Sequence, residues 1–259
     1  MENNRSQFAR RIAVQTGELL EDYFYHHSQE IDIKADFTLI TEADRAANNT
    51  ISTAIRREFP EDGILSEEEN TIYPEQSLVW VIDPLDGTTN FSQGLHHWGV
   101  SIALLENGQP VLATVYFPLV REHYHAELGA GAELNGSPLQ GSSSNQPDRY
   151  SFFVHCSRLN SRYRNKLPYK TRSLGSAAYH LCLVAKGTAI LAFETRAKVW
   201  DLAGAWLVVR EAGGVIERFQ NSAPFPARPG VDYNEYNYPL LAAPSGKVIQ
   251  FAHDHIEAR

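Results

Sequence analysis

The most informative segment of this sequence is Val79-Trp-Val-Ile-Asp83-Pro84-Leu-Asp86-Gly87-Thr-Thr-Asn90. Its four leading apolar residues predict a buried strand that stops at Pro84. Asp83 and Asp86 lie three residues apart at the end of this strand, and Gly87 predicts a turn into a helix that starts with Thr-Thr-Asn. Mg²⁺ prefers oxygen ligands such as carboxylates, and the backbone N–H groups at a helix start bind phosphate. The segment therefore predicts metal-assisted chemistry on a phosphate ester.

The composition is typical of a globular protein and limits the partners. Hydrophobic residues make up 43% of the 259 positions, and the net charge is −8, so we expect no nucleic-acid binding through bulk positive potential. An anionic phosphate would then need local positive charge, which bound metal ions supply.

Cys156 and Cys182 are too few for a disulfide framework and fit buried residues in a reducing compartment. The sequence has neither the layout of a signal peptide nor an apolar run long enough for a membrane span, so we expect a cytoplasmic protein with no membrane partner.

Helical and strand-like patterns alternate along the chain. Apolar positions recur at helical spacing from Gln7 to His26, and Thr41-Glu-Ala-Asp44 is a capping box for a second helix that ends at Phe59. Further strands are predicted at 98–105, 110–117, 122–128, 152–155, 189–194, 215–217 and 240–242, a hairpin at 129–136, and further helices at 176–185, 202–212 and 245–256. The alternation favours a layered α/β sandwich over a barrel or a bundle. The polar stretch within 142–150 is the predicted sub-domain boundary.

Several carboxylates have a structural as well as a ligand interpretation. Glu67 belongs to an acidic cluster that would ordinarily be a solvated loop, but it directly follows the apolar pair Ile64-Leu65. Asp201 stands at a helix start, where an N-cap Asp is common. Asp44 fits a first helical turn, where negative charge complements the helix dipole. Even 83–87, taken alone, fits an ordinary turn, although ligand sites gather at strand ends in α/β proteins.

With these residues in view, the sequence resembles the inositol monophosphatase family, the Mg²⁺-dependent, lithium-sensitive sugar-phosphate phosphatases, over essentially its whole length. Two long signatures carry the resemblance: Trp80-Val-Ile-Asp-Pro-Leu-Asp-Gly-Thr-Thr-Asn-Phe91, and Val199-Trp-Asp-Leu-Ala-Gly-Ala205 running on to Glu211-Ala-Gly-Gly214. The segments Leu39-Ile-Thr-Glu-Ala-Asp44 and Leu65-Ser-Glu-Glu68 support it in the family's order and spacing. The resemblance implies one domain over residues 1–259, a five-layer αβαβα sandwich of the sugar-phosphatase type, and a homodimer in most members.

The resemblance also implies a metal site with two to three Mg²⁺ ions. The implied ligands of the first ion are Glu67, Asp83 and the Leu85 backbone carbonyl. The implied ligands of the second are Asp83, Asp86 and Asp201, with Asp83 bridging, and Glu67 is implied to hold a third, weaker ion through water. Two Mg²⁺ ions about 4 Å apart can share a phosphate and lower the pKa of a bound water. A side-chain nucleophile is then not required, in agreement with the absence of a convincing Ser-His-Asp or Cys-His layout in the sequence.

Further roles follow from the same resemblance. Asp44 and Thr88 are implied to orient and help deprotonate the attacking water, so that Asp44, Thr88 and Glu67 form the implied catalytic set. Gly87 and Thr88 are implied to offer backbone N–H groups to the phosphate. Lys34 matches a basic residue that the family keeps near the metal site.

Substrate recognition in the family comes from the segment before the second signature and from the helix preceding it. Ser176 and Ala177 lie in that helix region, and Glu194, seven residues before Asp201, falls where inositol phosphatases place a carboxylate that accepts hydrogen bonds from ring hydroxyls. Arg196 and Lys198 depart from the commonest family pattern. They either favour a second phosphate, as in fructose 1,6-bisphosphate, or simply balance Glu194.

The favoured function is hydrolysis of myo-inositol monophosphate to inositol and phosphate by metal-activated water. Fructose-1,6-bisphosphatase, histidinol-phosphate phosphatase and 3′-phosphoadenosine 5′-phosphate phosphatase are alternatives with the same chemistry. A different class is a regulatory protein that binds partners in an RNA-processing or transcription complex. The complete set of implied ligands favours the enzyme, because a site without catalysis has no physical need of matched carboxylates.

Overall fold

The computed structural model describes residues 4–26, 31–33, 39–139, 150–219 and 223–259. The helices are α1 Asn4–His26, α2 Glu42–Glu58, α3 Thr88–Ser92, α4 Leu159–Arg162, α5 Ala177–Ala185, α6 Val199–Glu211 and α7 Gly246–His255. The strands are β1 Ile31–Ile33, β2 Leu39–Thr41, β3 Gly63–Ser66, β4 Leu78–Asp86, β5 Gly99–Glu106, β6 Gln109–Phe117, β7 Glu122–Glu127, β8 Gly131–Leu134, β9 Ser137–Leu139, β10 Phe152–His155, β11 Tyr163–Asn165, β12 Lys170–Arg172, β13 Leu191–Ala197, β14 Val215–Arg218, β15 Tyr238–Ala243 and β16 Ile256–Ala258.

Two sheets carry most of the strands. The larger runs β3-β4-β5-β6-β7-β8-β9, with β3 parallel to β4 and every other pair antiparallel. The smaller runs β12-β10-β13-β15-β14, with β10 parallel to both its neighbours and β15 antiparallel to both of its own. Since the carboxyl ends of parallel strands meet at one edge, the residues after β3 lie beside the end of β4.

Alternation of side chains along the strands separates three apolar cores. Trp80 and Ile82 of β4 pack with α1 and α2, whereas Val79 and Val81 face the opposite way, onto α5 and α6. The smaller sheet shares this α5–α6 layer through one face and packs its other face on α4 and α7. The order of layers is therefore helices, sheet, helices, sheet, helices, and the predicted five-layer αβαβα sandwich is confirmed.

A glycine in α6 brings this helix close to the larger sheet. A Cβ added at Gly204 would lie 2.6 Å from Ser101 Oγ and 2.9 Å from a methyl carbon of Val115. Because these contacts are shorter than van der Waals separation, the close approach of α6 to β5 and β6 depends on the missing side chain. The same helix carries Asp201 in its first turn.

The structure corrects the predicted end of the central strand. β4 does not stop at Pro84 but continues to Asp86, and its register with β5 shifts between Asp83 and Asp86. A β-bulge accommodates a proline, which has no N–H for the ladder. The consequence is that both carboxylates belong to the strand, on either side of the irregularity.

Other sequence expectations have mixed outcomes. The predicted helices α1, α2, α5, α6 and α7 and the longer strands are present with shifts of a few residues at their ends. The sequence analysis missed short elements of three or four residues each: β1, β2, β3, α4, β11, β12 and β16. The predicted boundary near 142–150 lies almost wholly outside the described residues. None of the helices in the described ranges has both the length and the apolar character that crossing a membrane requires.

Candidate active site

The bulge at the end of β4 places two carboxylates beside a helix start. Asp83 and Asp86 are 1% and 7% exposed, and Asp83 Oδ1 accepts a hydrogen bond from the Leu85 N–H at 3.1 Å. Gly87 follows with φ +93°, and α3 begins at Thr88. A Cβ at position 87 would lie 2.9 Å from the His97 carbonyl oxygen, so a glycine is required both for the left-handed backbone and for this close approach.

Two other elements bring carboxylates to the same place. Glu67 directly follows β3, and its N–H donates to the Ile82 carbonyl of the neighbouring β4 at 3.3 Å. Asp201 enters from α6. Glu67, Asp83 and Asp201 each offer a carboxylate oxygen, and these atoms lie within 4.8 Å of one another. Three segments distant in sequence therefore supply one cluster of oxygen atoms.

Asp201 is the third residue of α6 and not its N-cap. Its Oδ2 accepts a hydrogen bond at 2.9 Å from the N–H of Lys198, which is the residue that caps the helix. The Asp201 carboxylate thus completes the helix start from the N3 position, and the same side chain offers an oxygen to the cluster. The structural and ligand interpretations of Asp201 are compatible.

Asp86 is held by the start of α5. Its carboxylate accepts hydrogen bonds from the Ser176 hydroxyl, from the Ala177 N–H at 3.2 Å and from the Ala178 N–H at 3.0 Å. Ser176 is also the N-cap of α5 and accepts from the Tyr179 N–H at 3.1 Å. Ser176 and Ala177, which the resemblance implied to bind substrate, line the cavity and orient this carboxylate.

Asp44 and Thr88 meet across two helix starts. The predicted capping box of α2 is present, with Asp44 Oδ2 accepting from the Thr41 N–H at 2.6 Å. The other oxygen, Oδ1, lies 3.2 Å from Thr88 Oγ1, and that hydroxyl is equally far from the Leu85 carbonyl oxygen. The cap holds Asp44 so that its second oxygen is presented to the first residue of α3.

The electrostatics of the cluster favour a cation. Burial, together with repulsion from Glu67 and Asp86, raises the pKa of Asp83 well above its ordinary value, and the same causes raise the pKa of Asp201. Burial also raises the pKa of Asp86 to about 6, against the opposing effect of its hydrogen bonds from α5. Buried carboxylates that repel one another are stabilised by a divalent cation, and an all-oxygen donor set fits Mg²⁺. The residues present therefore fit the metal that the resemblance implies.

A cavity of about 340 Å³ connects this cluster to a second group of residues. All predicted metal ligands line it, together with Gly87, Thr88, Ser176, Ala177, Glu194 and Arg196. Glu194 is 4% exposed, and its Oε1 lies 2.5 Å from His180 Nδ1. A carboxylate held by a buried imidazole thus lies in the same cavity as the carboxylate cluster.

The basic residues divide into those that line the cavity and those that do not. Arg196 lines it, but the Lys198 ammonium donates to the Asn234 carbonyl and is not among the lining groups. Lys34 lies outside the described residues. Arg158 and His180 also line the cavity, and the sequence analysis missed both. His180 follows Ser176 by one helical turn, and this i, i+4 relation to the N-cap could have indicated that it faces the site.

The fold is an α/β sandwich, and the site is a cluster of carboxylate oxygens beside a helix start that could hold a cation. A model of the inositol monophosphatase family matches residues 2–250, and the chain belongs to this family. The family is generally Mg²⁺-dependent and includes phosphatases.

Curated relatives carry several different names. The Nus factor SuhB of Escherichia coli strain K12 is 37% identical over 223 residues, covering 82% of this chain and 84% of that protein. A fructose-1,6-bisphosphatase/inositol-1-monophosphatase of Thermotoga maritima is 32% identical over 228 residues, with 83% and 85% covered. A histidinol-phosphatase of Chlorobaculum parvum is 36% identical over 216 residues, with 80% and 83% covered. The three names describe different substrates or roles.

Solved structures agree with the fold over nearly the whole chain. An IMPase of Thermotoga maritima superposes with a TM-score of 0.82 at 27% identity, covering 97% of this chain and 96% of that one. An IMPase/NADP phosphatase complexed with Mg²⁺ and phosphate has a TM-score of 0.80 at 20% identity, with 96% and 93% covered. The second likeness concerns the fold alone.

Proposed function

We propose that this chain is a Mg²⁺-dependent phosphomonoesterase that converts myo-inositol monophosphate to inositol and phosphate. The observation that carries the proposal is the shared cavity, which has a cluster of cation-binding carboxylates at one part of its wall and the buried Glu194 at another. The first group suits a phosphate neutralised by metal, and the second suits hydroxyl groups on the attached polyol.

The proposed metal ligands are Glu67, Asp83, Asp86, Asp201 and the Leu85 carbonyl. When bound there, Mg²⁺ would supply charge neutralisation of the phosphate and a more acidic water. The protein's own contribution is to hold the carboxylates in place: α5 fixes Asp86, and the N-cap of α6 fixes Asp201. The number of ions, two or three, belongs to the same proposal.

The pair Asp44 and Thr88 is proposed to orient the attacking water. The Thr88 hydroxyl can donate to Asp44 Oδ1, and its oxygen can then accept a hydrogen bond from a water molecule. A proton leaving that water would pass through the hydroxyl towards Asp44. The N–H groups of Gly87 and Thr88 are proposed to hold the phosphate oxygens at the start of α3.

The substrate assignment depends on Glu194, and a substrate panel tests it. Phosphate release is measured with and without Mg²⁺ on inositol 1-phosphate, fructose 1,6-bisphosphate, histidinol phosphate, 3′-phosphoadenosine 5′-phosphate and p-nitrophenyl phosphate. We expect Mg²⁺-dependent turnover and the highest kcat/KM for inositol 1-phosphate. Preference for another member would overturn the substrate but not the chemistry, whereas no Mg²⁺-dependent release from any member would overturn both.

A substitution of Glu194 tests whether this carboxylate causes the substrate preference. Glu194→Gln keeps the side-chain volume but removes a charge-assisted hydrogen bond, so KM for inositol 1-phosphate should rise about 10-fold or more, and by a larger factor than KM for p-nitrophenyl phosphate. Glu211→Gln is the matched control, because Glu211 accepts from the Gly131 N–H away from the cavity. Equal effects of Glu194→Gln on the two substrates would contradict its assignment as a hydroxyl reader.

A bisphosphate is the second candidate substrate. Arg196 and Arg158 are both exposed and both line the cavity, so they could pair with a second phosphate group. The relative from Thermotoga maritima, with both activities in its name, agrees with this alternative. Histidinol phosphate remains a third candidate, since its amine could pair with Glu194 and one relative is a histidinol-phosphatase.

A regulatory role is the candidate of a different class. The 37% identity to a Nus factor supports testing whether the chain binds the transcription machinery. Pull-down with a variant that lacks phosphatase activity would separate the two roles. The expected homodimer, lithium inhibition and cytoplasmic location are part of the main proposal, and sedimentation, inhibition by Li⁺ and cell fractionation test them.

A further inference from the structure

The side chain of Glu194 contacts a buried histidine of α5. We propose that His180 is a positioning residue that fixes the Glu194 carboxylate and thereby sets the preference for substrates that carry hydroxyl groups. This inference rests on the proposed function, because it concerns the recognition of the polyol by that same cavity.

His180 is enclosed and has a hydrogen-bond partner at each ring nitrogen. It lies on α5 with 1% of its surface exposed. Nδ1 is 2.5 Å from Glu194 Oε1, and the Leu174 N–H lies 2.9 Å from Nε2. Such a ring cannot rotate or turn over without losing both contacts.

The hydrogen bonds determine which nitrogen carries the proton. A backbone N–H can only donate, so Nε2 must accept from Leu174 through its lone pair. The ring proton therefore resides on Nδ1 and is donated to Glu194 Oε1. This hydrogen bond holds one oxygen of the Glu194 carboxylate. The remaining acceptor capacity of the carboxylate is then directed to whatever occupies the cavity.

The same chain of hydrogen bonds reaches the start of α3. The Leu174 carbonyl accepts from Asn90 Nδ2 at 2.6 Å, and this amide also donates to the His97 carbonyl at 2.6 Å. Asn90 is in α3, two residues after Thr88. Glu194 is thus connected through His180 and Leu174 to the helix that is proposed to bind phosphate.

The backbone after Leu174 is fitted closely to the same amide. Gly175 has φ +79°, and a Cβ there would lie 2.5 Å from Asn90 Oδ1. Ser176 then caps α5 and donates to Asp86. The segment 174–176 therefore ties the hydroxyl-reading carboxylate to a metal ligand and to α3 over a few residues.

A fixed distance between the two ends of the site gives specificity. A polyol phosphate must place its phosphate at α3 and its hydroxyls at Glu194 simultaneously. If the carboxylate is held before the substrate arrives, no ordering of this side chain opposes binding. Loss of His180 should therefore weaken the binding of a hydroxyl-bearing substrate more than that of an ester without hydroxyls.

The test compares KM for inositol 1-phosphate with KM for p-nitrophenyl phosphate in saturating Mg²⁺. His180→Leu removes both ring hydrogen bonds, and we expect KM for inositol 1-phosphate to rise about 10-fold relative to KM for p-nitrophenyl phosphate. His180→Asn retains an N–H donor near the position of Nδ1 and should restore part of the ratio. His125→Leu is the control, since His125 is an equally buried histidine on β7 in another layer, and it should leave the ratio as in the wild type.

A double-mutant cycle decides whether His180 acts through Glu194. In the Glu194→Gln background, His180→Leu should change the KM ratio by less than about 2-fold, because the group it positions is altered already. If the effects of the two substitutions on the KM ratio multiply, the inference is overturned. It is also overturned if His180→Leu raises KM equally for both substrates, or if His180→Asn restores none of the preference. Thermal unfolding of each variant identifies any that does not fold, in which case His180→Asn alone is compared with the wild type.

The outcome also separates this inference from the proposed function. If the wild-type enzyme shows no Mg²⁺-dependent hydrolysis of either ester, the proposed function is wrong. If it hydrolyses both and Glu194→Gln affects the polyol selectively, but His180→Leu does not, only the positioning role of His180 is refuted.

Discussion

Replacement of Asp86 by Asn tests the cation site most directly, because charge is removed at almost constant volume. Burial raises the pKa of Asp86 from 3.8 to about 6 in the protein without metal. This difference of about 2 units corresponds to about 3 kcal/mol of unfolding free energy. Since the folded-state pKa is raised, the penalty is absent below pH 3.8, develops as the pH rises and is complete above about pH 6. At neutral pH Asp86→Asn, which cannot ionise, should therefore gain about 3 kcal/mol of unfolding free energy from this effect.

The hydrogen bonds from α5 oppose that gain. The carboxylate of Asp86 accepts from Ser176, Ala177 and Ala178, whereas an amide offers one accepting oxygen and turns an NH₂ group towards a donor. An unsatisfied buried donor costs about 1–3 kcal/mol. The two effects nearly cancel, so Asp86→Asn should fold, with Tm within about 6 °C of the wild type in the absence of metal.

The response to Mg²⁺ should differ sharply. At a Mg²⁺ concentration of about 100 times Kd, binding stabilises the wild type by about 2.7 kcal/mol, or roughly 5–10 °C in Tm for a chain of this size. Asp86→Asn should lose most of that increase, and its kcat/KM for any substrate should fall at least about 100-fold. Differential scanning fluorimetry over a Mg²⁺ series and phosphate release measure the two quantities.

Asp62→Asn is the matched control for this experiment. The side chain of Asp62 is also buried, but it pairs with Arg5 and accepts from the Trp80 indole, away from the cavity. This control should lower Tm while keeping both the Mg²⁺ response and the activity. If Asp86→Asn kept near-wild-type turnover at saturating Mg²⁺, or gained as much Tm from Mg²⁺ as the wild type, the assignment of Asp86 as a ligand would be refuted.

Three further perturbations address the phosphate loop, the proposed water-orienting pair and the acid stability. Gly87→Ala, with φ +93° and a Cβ 2.9 Å from the His97 carbonyl oxygen, should lower the unfolding free energy in urea by about 1–3 kcal/mol and reduce turnover; unchanged values would show that the loop adapts. Thr88→Ala should lower kcat about 100-fold because it removes the hydroxyl that meets Asp44, and Thr88→Ser should restore most of it, whereas equal losses would exclude a role for the hydroxyl. Burial lowers the pKa of His123 to about 4. The unfolding free energy should therefore be unaffected by this group above pH 6.5 and should decrease by up to about 3 kcal/mol as the pH falls towards 4. His123→Gln should reduce the dependence of the unfolding free energy on pH between 6.5 and 4 in urea titrations, and an unchanged dependence would assign the acid sensitivity to other groups.

The local features of this protein can be read from its sequence because they depend on neighbouring residues. The capping box that Thr41 and Asp44 form, the turn at Gly87 and the longer helices follow from spacing and residue type within about one turn. The layered α/β class follows from the alternation of such segments. Asp83 and Asp86 could be recognised as candidate ligands for the same reason, since they lie three residues apart at the end of one strand.

The assembly of the site depended on contacts between segments far apart in the chain. Parallel pairing of β3 with β4 is what places Glu67 beside Asp83, and the close approach of α6 to the sheet is what brings Asp201 to them. The contact of His180 with Glu194 joins a helix to a strand whose partner and register no local pattern specifies. Periodicity and capping report the conformation of a segment, whereas the position of one segment against another is determined by the packing of the whole core. For this reason the sequence alone determined which carboxylates were candidates, and only the tertiary structure decided which of them share a cavity and which histidine holds one of them in place.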